Sequence, residues 1–386
     1  MTERSQIGYQ ITVVLVLWAA GLAAAAQFAK ISVIFETFSA LYPDAGAAQG
    51  FLLSIISFVG VIFGVTGGAL VARFGTRAIL IGSLALGAVL SVVQAMIPPL
   101  PVMLTLRCIE GFSHLGVVIA APTLIAGLSE GRWQGAVMTL WGSFFGVSFA
   151  ITAFVGVPLV TALGVPALFL GHGAVMLGCA LVLLALLPPV APSRFAPEMP
   201  GVLAQHLRIY RSPWLSAPAL GWLFYTLTFV SLLAVLPRFI AESDRDFAIT
   251  LMPLAGILLS LTLGVVLLRV LPATSVVIAG FGLSAVAAGA FSVWGAGAWL
   301  AVALFAVLGL IQGASFAAVA ELNKTAANRA LANGAMAQMG NTGNLLGTPV
   351  LLAIVAGYEF DGLVAFAVVA YMLGGLVHLI QALRRL

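Results

Sequence analysis

Charge is what this sequence has least of. Among its 386 residues only 7% are Asp, Glu, Lys or Arg, where soluble domains carry roughly a quarter, and 62% are hydrophobic. Such a chain has too little polar surface to face water on every side, which excludes a soluble globular protein. The formal net charge of +4 does not mark a nucleic-acid partner, because the basic residues are scattered rather than clustered on one segment. Cysteine is scarcer still: Cys108 and Cys179 are the only two, both inside apolar runs. A disulfide between them is the alternative, and buried free thiols are expected. No G-x-x-x-x-G-K-[ST] loop and no metal-ligand spacing occurs, so no cofactor is expected and ATP-driven work has no module here. His206 and His378 stand alone, without the clustered ligands of a membrane enzyme.

What is present is apolar sequence in long runs. Segments at 11–36, 48–71, 77–97, 101–128, 134–160, 165–187, 214–238, 247–269, 273–294, 297–320, 332–356 and 361–383 each reach the length of about 20 residues that spans a bilayer. The predicted fold is therefore an all-α membrane protein of twelve transmembrane helices. Basic residues fall in alternate loops: Arg4, Arg73 and Arg77, Arg132, Arg194 with Arg208 and Arg211, Arg269, Lys324 with Arg329, and Arg384 with Arg385. The opposite loops hold only Arg238 and Arg245, set among Glu242, Asp244 and Asp246. The positive-inside rule then puts both termini in the cytoplasm and the protein in the cytoplasmic (inner) membrane. Ala23–Ala26 before Gln27 imitates a signal-peptide cleavage site, but removing the first helix would invert that charge pattern.

Residues 188–213 form the longest polar interruption, with Pro188, Pro189, Pro192, Pro197 and Pro200 in its first part. Its second part, 202–211, alternates Leu203, Leu207 and Tyr210 with His206, Arg208 and Arg211, the pattern of a short helix lying on the membrane face. The linker separates a first bundle, 1–187, from a second, 214–386. The halves echo each other: Glu110-Gly111 matches Gln312-Gly313, and Gly142-x-x-x-Gly146 matches Gly343-x-x-x-Gly347, offset by 202 and 201 residues. Two matches in step indicate a tandem six-helix repeat. Carriers so built bind their solute between the halves near the midplane.

Three motifs resemble the major facilitator superfamily. Its G-x-x-x-D-R-x-G-R loop between helices 2 and 3 appears as Gly68 to Arg77, keeping Arg73, Gly75 and Arg77 but with Ala72 for the acid. Its antiporter fourth-helix pattern R-x-x-Q-G appears as Arg107-Cys108-Ile109-Glu110-Gly111, with Glu for Gln. Its fifth-helix pattern G-x-x-x-G-P-x-x-G-G retains Gly142 and Gly146, with Val147 for the proline and neither later glycine. The resemblance implies two pseudo-symmetric bundles, alternating access, a central cavity lined by helices 1 and 4, and a peripheral helix 6 holding His172.

An ionisable group at a helix centre costs about 2.5–3.5 kcal/mol, so each needs a reason. Lys30, Arg107 and Glu110 lie within predicted spans. Arg107, Glu110 and His114, spaced three and four apart, share one helix face, as Gln27 and Lys30 share another. One expectation is a polar cluster facing the cavity, with Glu110 as proton-binding group, Arg107 and His114 as coupling partners, and Lys30, Gln27 and Arg107 meeting substrate. The other is that Lys30 and Arg107 snorkel outward with Glu110 as counter-ion. In the second half Gln312, Gln338, Asn341 and Asn344 are candidates for substrate hydrogen bonds, or for glue between helices. Tyr225 and Trp141 are candidate walls. Arg73 and Arg77, with Glu321 and Lys324, are candidate gate residues. The function expected is proton-coupled transport of a small organic solute, an anion favoured because no unpaired acid lies deep, by a monomer in the lipid bilayer. Export of amphiphilic drugs is the alternative, and a non-transporting receptor or membrane enzyme the alternative of another class.

Overall fold

In lipid a backbone amide finds no partner outside its own segment, so each apolar run closes into a helix. The computed structural model describes residues 3–129, 133–188 and 201–386. The first half holds α1 (Glu3–Ser32), α2 (Gln49–Ser54 continued by Ile56–Phe74), α3 (Thr76–Gln94), α4 (Leu100–Leu128), α5 (134–163) and α6 (Val165–Leu186). After the linker helix Val202–Arg211 come α7 (Pro213–Val235), α8 (242–267), α9 (Ala273–Trp294) and α10 (Ala298–Leu322). The last helical stretch, Ala326–Leu383, breaks at Glu359, whose φ of 49° and ψ of −133° leave helical space. The break makes two spans, α11 (326–358) and α12 (360–383). Among the described residues eleven stretches are apolar and long enough to cross a bilayer, and the final one, 53 residues long, has the length for two crossings. The prolines at 189–200 and Arg132 lie outside the described residues.

Two helix pairs turn on a single residue. Gly75 joins α2 to α3 at φ 86°, and Gly164 joins α5 to α6 at φ 82°. Only glycine takes that conformation without strain, which explains the glycine of the Arg73–Arg77 loop. Within α5 a one-turn π-bulge at Thr152–Gly156 precedes Val157–Leu163, and α8 carries another at Ser260–Gly264.

Glycines set where backbones meet. Gly111 of α4 lies against Ile56 and Val59 of α2, and Gly313 of α10 against Ser260 of α8, so this matched pair serves equivalent contacts. The second pair does not. Gly142 and Gly146 of α5 face Phe316 of α10 and Ile257 of α8 in the other half, whereas Gly343 and Gly347 of α11 press on Leu223 and Leu227 of α7 in their own half. The halves also meet where Gly60 and Gly64 of α2 receive Asn341 and Gln338 of α11.

The two termini sit on one face with the linker. Tyr9 donates to the Leu186 carbonyl (2.8 Å), Arg384 to the Arg211 carbonyl (2.9 Å) and Arg385 to the Pro213 carbonyl (3.1 Å). Below, this is the terminal face.

The tightest helix crossing gives a direct test. At Gly309 an added Cβ would strike the Gly256 carbonyl of α8, a backbone atom that cannot swing aside. Gly309→Val should cost about 1–3 kcal/mol of overpacking, seen as a lowered melting temperature in detergent. Gly82→Ala, which meets nothing within 4 Å, should leave it unchanged or raise it.

Candidate functional site

The three intramembrane charges of the first half converge. Lys30 Nζ lies 2.6 Å from Glu110 Oε1, and Arg107 Nη1 lies 2.5 Å from Glu110 Oε2. All three side chains are 0% exposed. Small residues in α1, from Ala23 to Ala26, let it lie against α4 closely enough for the pairs to form. Arg107 also donates to two backbone carbonyls, Gln27 (2.7 Å) and Leu52 (3.0 Å). Lys30 donates to Ser91 Oγ (2.8 Å) and Gln94 Oε1 (2.9 Å), and Gln94 Nε2 donates to Glu110 Oε2 (2.8 Å). The Lys30 ammonium stands 4.8 Å over the Phe169 ring. Neither cation snorkels: both point into the bundle.

Ser91, Gln94 and His172 join the site without having been expected there. His172 Nε2 is 2.9 Å from the Ala23 carbonyl, which can only accept, so Nε2 carries the proton. Its Nδ1 therefore accepts from the Ser91 hydroxyl at 2.5 Å, while that hydroxyl accepts from Lys30. A hydrogen-bonded chain thus runs from Glu110 through Lys30 and Ser91 to His172. The resemblance that made α6 peripheral gave no sign of this. Nor did α3, where single serines and glutamines cost little in a membrane and attract no notice.

The expectation that the whole cluster faces the cavity is corrected. The central cavity, about 70 Å³, is lined by His114 of α4, Trp141 of α5, Trp222 and Tyr225 of α7, Gln312 of α10, and Asn333, Asn341 and Asn344 of α11, among others. Lys30, Gln27, Arg107 and Glu110 are not in that lining. The ion triad sits behind the wall, and His114, one turn beyond Glu110, lies in the lining. His114 Nδ1 is 3.1 Å from the Ala24 carbonyl and so bears the proton, leaving Nε2 unused by that bond. Gln27 is spent within the bundle, donating to Ser113 Oγ (2.9 Å).

Among the described residues no charged side chain lines the cavity. Several of its lining residues carry a buried polar atom without a partner: Trp141 Nε1, Tyr225 Oη, and the Oδ1 atoms of Asn333, Asn341 and Asn344. Gln312 Nε2 donates to the Gly142 carbonyl (2.6 Å), tying α10 to α5. Trp222 stacks on Tyr225 at 4.5 Å and Trp141 on Phe144 at 4.6 Å, forming two aromatic walls.

Gln338 belongs elsewhere. Steps of three residues fall short of a helical turn by about 60° each, so from Asn344 to Gln338 the stripe rotates by about 120°. Gln338 accepts from Tyr210 Oη (2.6 Å), and its Nε2 reaches the Val61 carbonyl (2.8 Å) and His206 Nε2 (3.0 Å). One amide therefore ties α11, α2 and the linker helix together near the terminal face. Burial raises the Tyr210 phenol well above its usual range, so it stays a donor at any physiological pH.

The gate residues are also placed differently. Arg77 donates to the carbonyls of Leu187 (2.8 Å) and Leu184 (3.0 Å), capping α6, and Glu321 accepts from the Ala273 amide (2.7 Å), capping α9. Lys324 is exposed and forms no ion pair among the described residues. The side chain of Arg73 lies outside the described residues.

Two bundles around a polar cavity, with a charge cluster in one wall, define a membrane carrier that exposes its site to each side in turn. The family profile described as Major Facilitator Superfamily matches residues 13–266, and the chain belongs to that family of transporters. No curated protein sequence matches. Among solved structures, the chain is similar to the Major Facilitator Superfamily transporter FucP in the outward conformation (15% identity, TM-score 0.75, covering 97% of this chain and 99% of that one). It is also similar to the human organic anion transporter MFSD10 (16%, 0.76, 96% and 99%) and to the proton:xylose symporter XylE bound to 6-bromo-6-deoxy-D-glucose (15%, 0.77, 98% and 95%). At these identities the likeness concerns the fold.

The triad makes a stability prediction. Glu110→Gln leaves two buried cations without a counter-charge and should cost about 3–5 kcal/mol. Replacing Lys30 by Met in the same chain should restore part of that loss in thermal unfolding. A Lys30→Met change that made the Glu110→Gln protein still less stable would contradict the pairing.

Proposed function

We propose that this transporter couples proton movement to the passage of a small organic anion across the cytoplasmic membrane, with both termini in the cytoplasm. The observation that carries the reading is Glu110 held between Lys30 and Arg107, fully buried and one turn from the cavity residue His114. Protonating Glu110 would cancel its charge and sever both ion pairs, freeing α1 from α4. Two conformations that differ in those contacts would then differ in proton affinity, which is what coupling requires.

The triad also biases solute charge. Its formal sum is +1, and at a separation of about 10 Å a unit charge is worth about 1–2 kcal/mol at an effective dielectric of 20. A cation in the cavity is disfavoured by that amount and an anion favoured. The loop charge pattern supports cytoplasmic termini. Drug export has little support from the cavity, which is far below the roughly 300–1,000 Å³ of sites that hold drug-sized ligands.

In proteoliposomes, uptake by the unaltered protein should rise with an inward proton gradient. Glu110→Gln should keep solute exchange at equal pH but lose the response to the gradient. Full gradient dependence in that variant would remove Glu110 from the coupling step.

The amide at Gln338 supports a second element of the cycle, a latch that holds the terminal face shut. Tyr210→Phe removes one hydrogen bond worth about 1 kcal/mol, which shifts a two-state balance by about fivefold. In a chain lacking Cys108 and Cys179, an Ala337→Cys thiol on the cavity wall should then react about fivefold faster with reagent supplied at the terminal face. An unchanged rate would show that Tyr210 does not hold that face.

A further inference from the structure

A second hollow lies on the flank of the second bundle, where α7, α11 and α12 meet the bilayer. It is a groove of about 550 Å³ that shares no lining residue with the central cavity. We propose that it holds one acyl chain of a phospholipid whose headgroup carries a primary ammonium, as in phosphatidylethanolamine. The lipid belongs to the leaflet opposite the termini.

The groove follows from the residues of α12. Gly362, Ala365, Val369 and Leu373 recur at steps of three and four, so they form one stripe down the helix. Phe224 and Leu227 of α7 close the far side. The break at Glu359 brings α11 back beside the stripe, and only a glycine fits there. A Cβ at Gly362 would stand 2.8 Å from the Cβ of Tyr358.

Apart from Tyr358 and Asp361, every lining side chain is apolar, and Val369 and Leu373 are exposed. Water finds no hydrogen bonds in such a hollow, and at this depth the solvent is hydrocarbon. From Asp361 to Leu373 the stripe descends about 18 Å along α12, against about 15 Å for one leaflet of a bilayer core. A lipid chain has that length.

The rim selects the headgroup. Tyr358, Trp294 and Trp299 are exposed toward the face opposite the termini, where amphipathic rings mark headgroup depth. Glu359 and Asp361 are exposed at that level, and neither forms an ion pair among the described residues. Arg238 is likewise exposed and unpaired, next to Phe239, whose ring packs on Phe360 at 5.2 Å. Charges of both signs around one mouth match a zwitterion, with its ammonium on Asp361 and its phosphate toward Arg238. An acid in the first turn of α12 also suits the helix dipole, but the dipole does not account for the groove beneath it. Phosphatidylglycerol brings no ammonium to these acids. Phosphatidylcholine brings one without an N–H to donate.

The test is retention of the most tightly held lipid by the purified full chain in detergent, read by native mass spectrometry. The probes are dioleoyl phosphatidylethanolamine, phosphatidylglycerol and phosphatidylcholine. The first should bind about fivefold more tightly than the other two, the size of one exposed ion pair. Asp361→Asn should abolish that preference while leaving the chain bound. Ala365→Phe, which fills the groove from an exposed position, should weaken all three by at least about tenfold. Both variants change exposed residues and should melt in detergent where the unaltered chain does. Equal retention of the three lipids by the unaltered chain, a preference that survives Asp361→Asn, or full retention by Ala365→Phe each overturns the proposal. A dimer that Ala365→Phe dissociates overturns it too, because the occupant would then be a second copy of the chain.

Discussion

The structure of the first half is organised by one carboxylate. Glu110 binds Lys30 of α1 through one oxygen and Arg107 of α4 through the other, so two cations that each cost several kcal/mol in lipid are tolerated together. Everything near it follows from keeping that arrangement dry. Gln94 donates to the same carboxylate oxygen as Arg107, Ser91 takes a further proton of the ammonium, and the Gln27 and Leu52 carbonyls hold the guanidinium. Such a cluster is expensive to build from an apolar alternative and expensive to break by halves. It is therefore suited to a two-state element, intact in one conformation and dissolved by a single proton in another.

The second half carries no such cluster and has a different task. Where α4 has Glu110, α10 has Gln312, and the repeat has exchanged a charge for an amide that reaches the Gly142 carbonyl across the midplane. One half thus buries its charge behind the wall, while the cavity itself is lined by aromatic and amide side chains that can both donate and accept.

The helices were legible because the bilayer leaves so few choices. Predicted and observed bounds of α9 coincide at 273–294, and the linker helix at 202–211 appears where its alternation placed it. The deviations have local causes: α8 begins at Glu242, five residues earlier than its apolar run, because Glu242 and Asp244 favour a helix N-terminus. The charged site residues announced themselves through their cost in lipid. Ser91, Gln94 and His172 did not, since uncharged polar groups in a span carry a small penalty and no periodic signal. Gln338 was misplaced because its stripe drifts around the helix. Arg77 and Glu321 looked like gates because a sequence does not show which helix end lies opposite a charged side chain.

The unequal use of the two glycine pairs has a mechanical consequence. Gly343 and Gly347 bring α11 close against α7 within one half, while Gly142 and Gly146 bring α5 of the other half against α10 and α8. Close backbone contact thus stabilises the second bundle internally through one pair and joins it to its neighbour through the other, so the same spacing serves cohesion in one copy of the repeat and docking in the other.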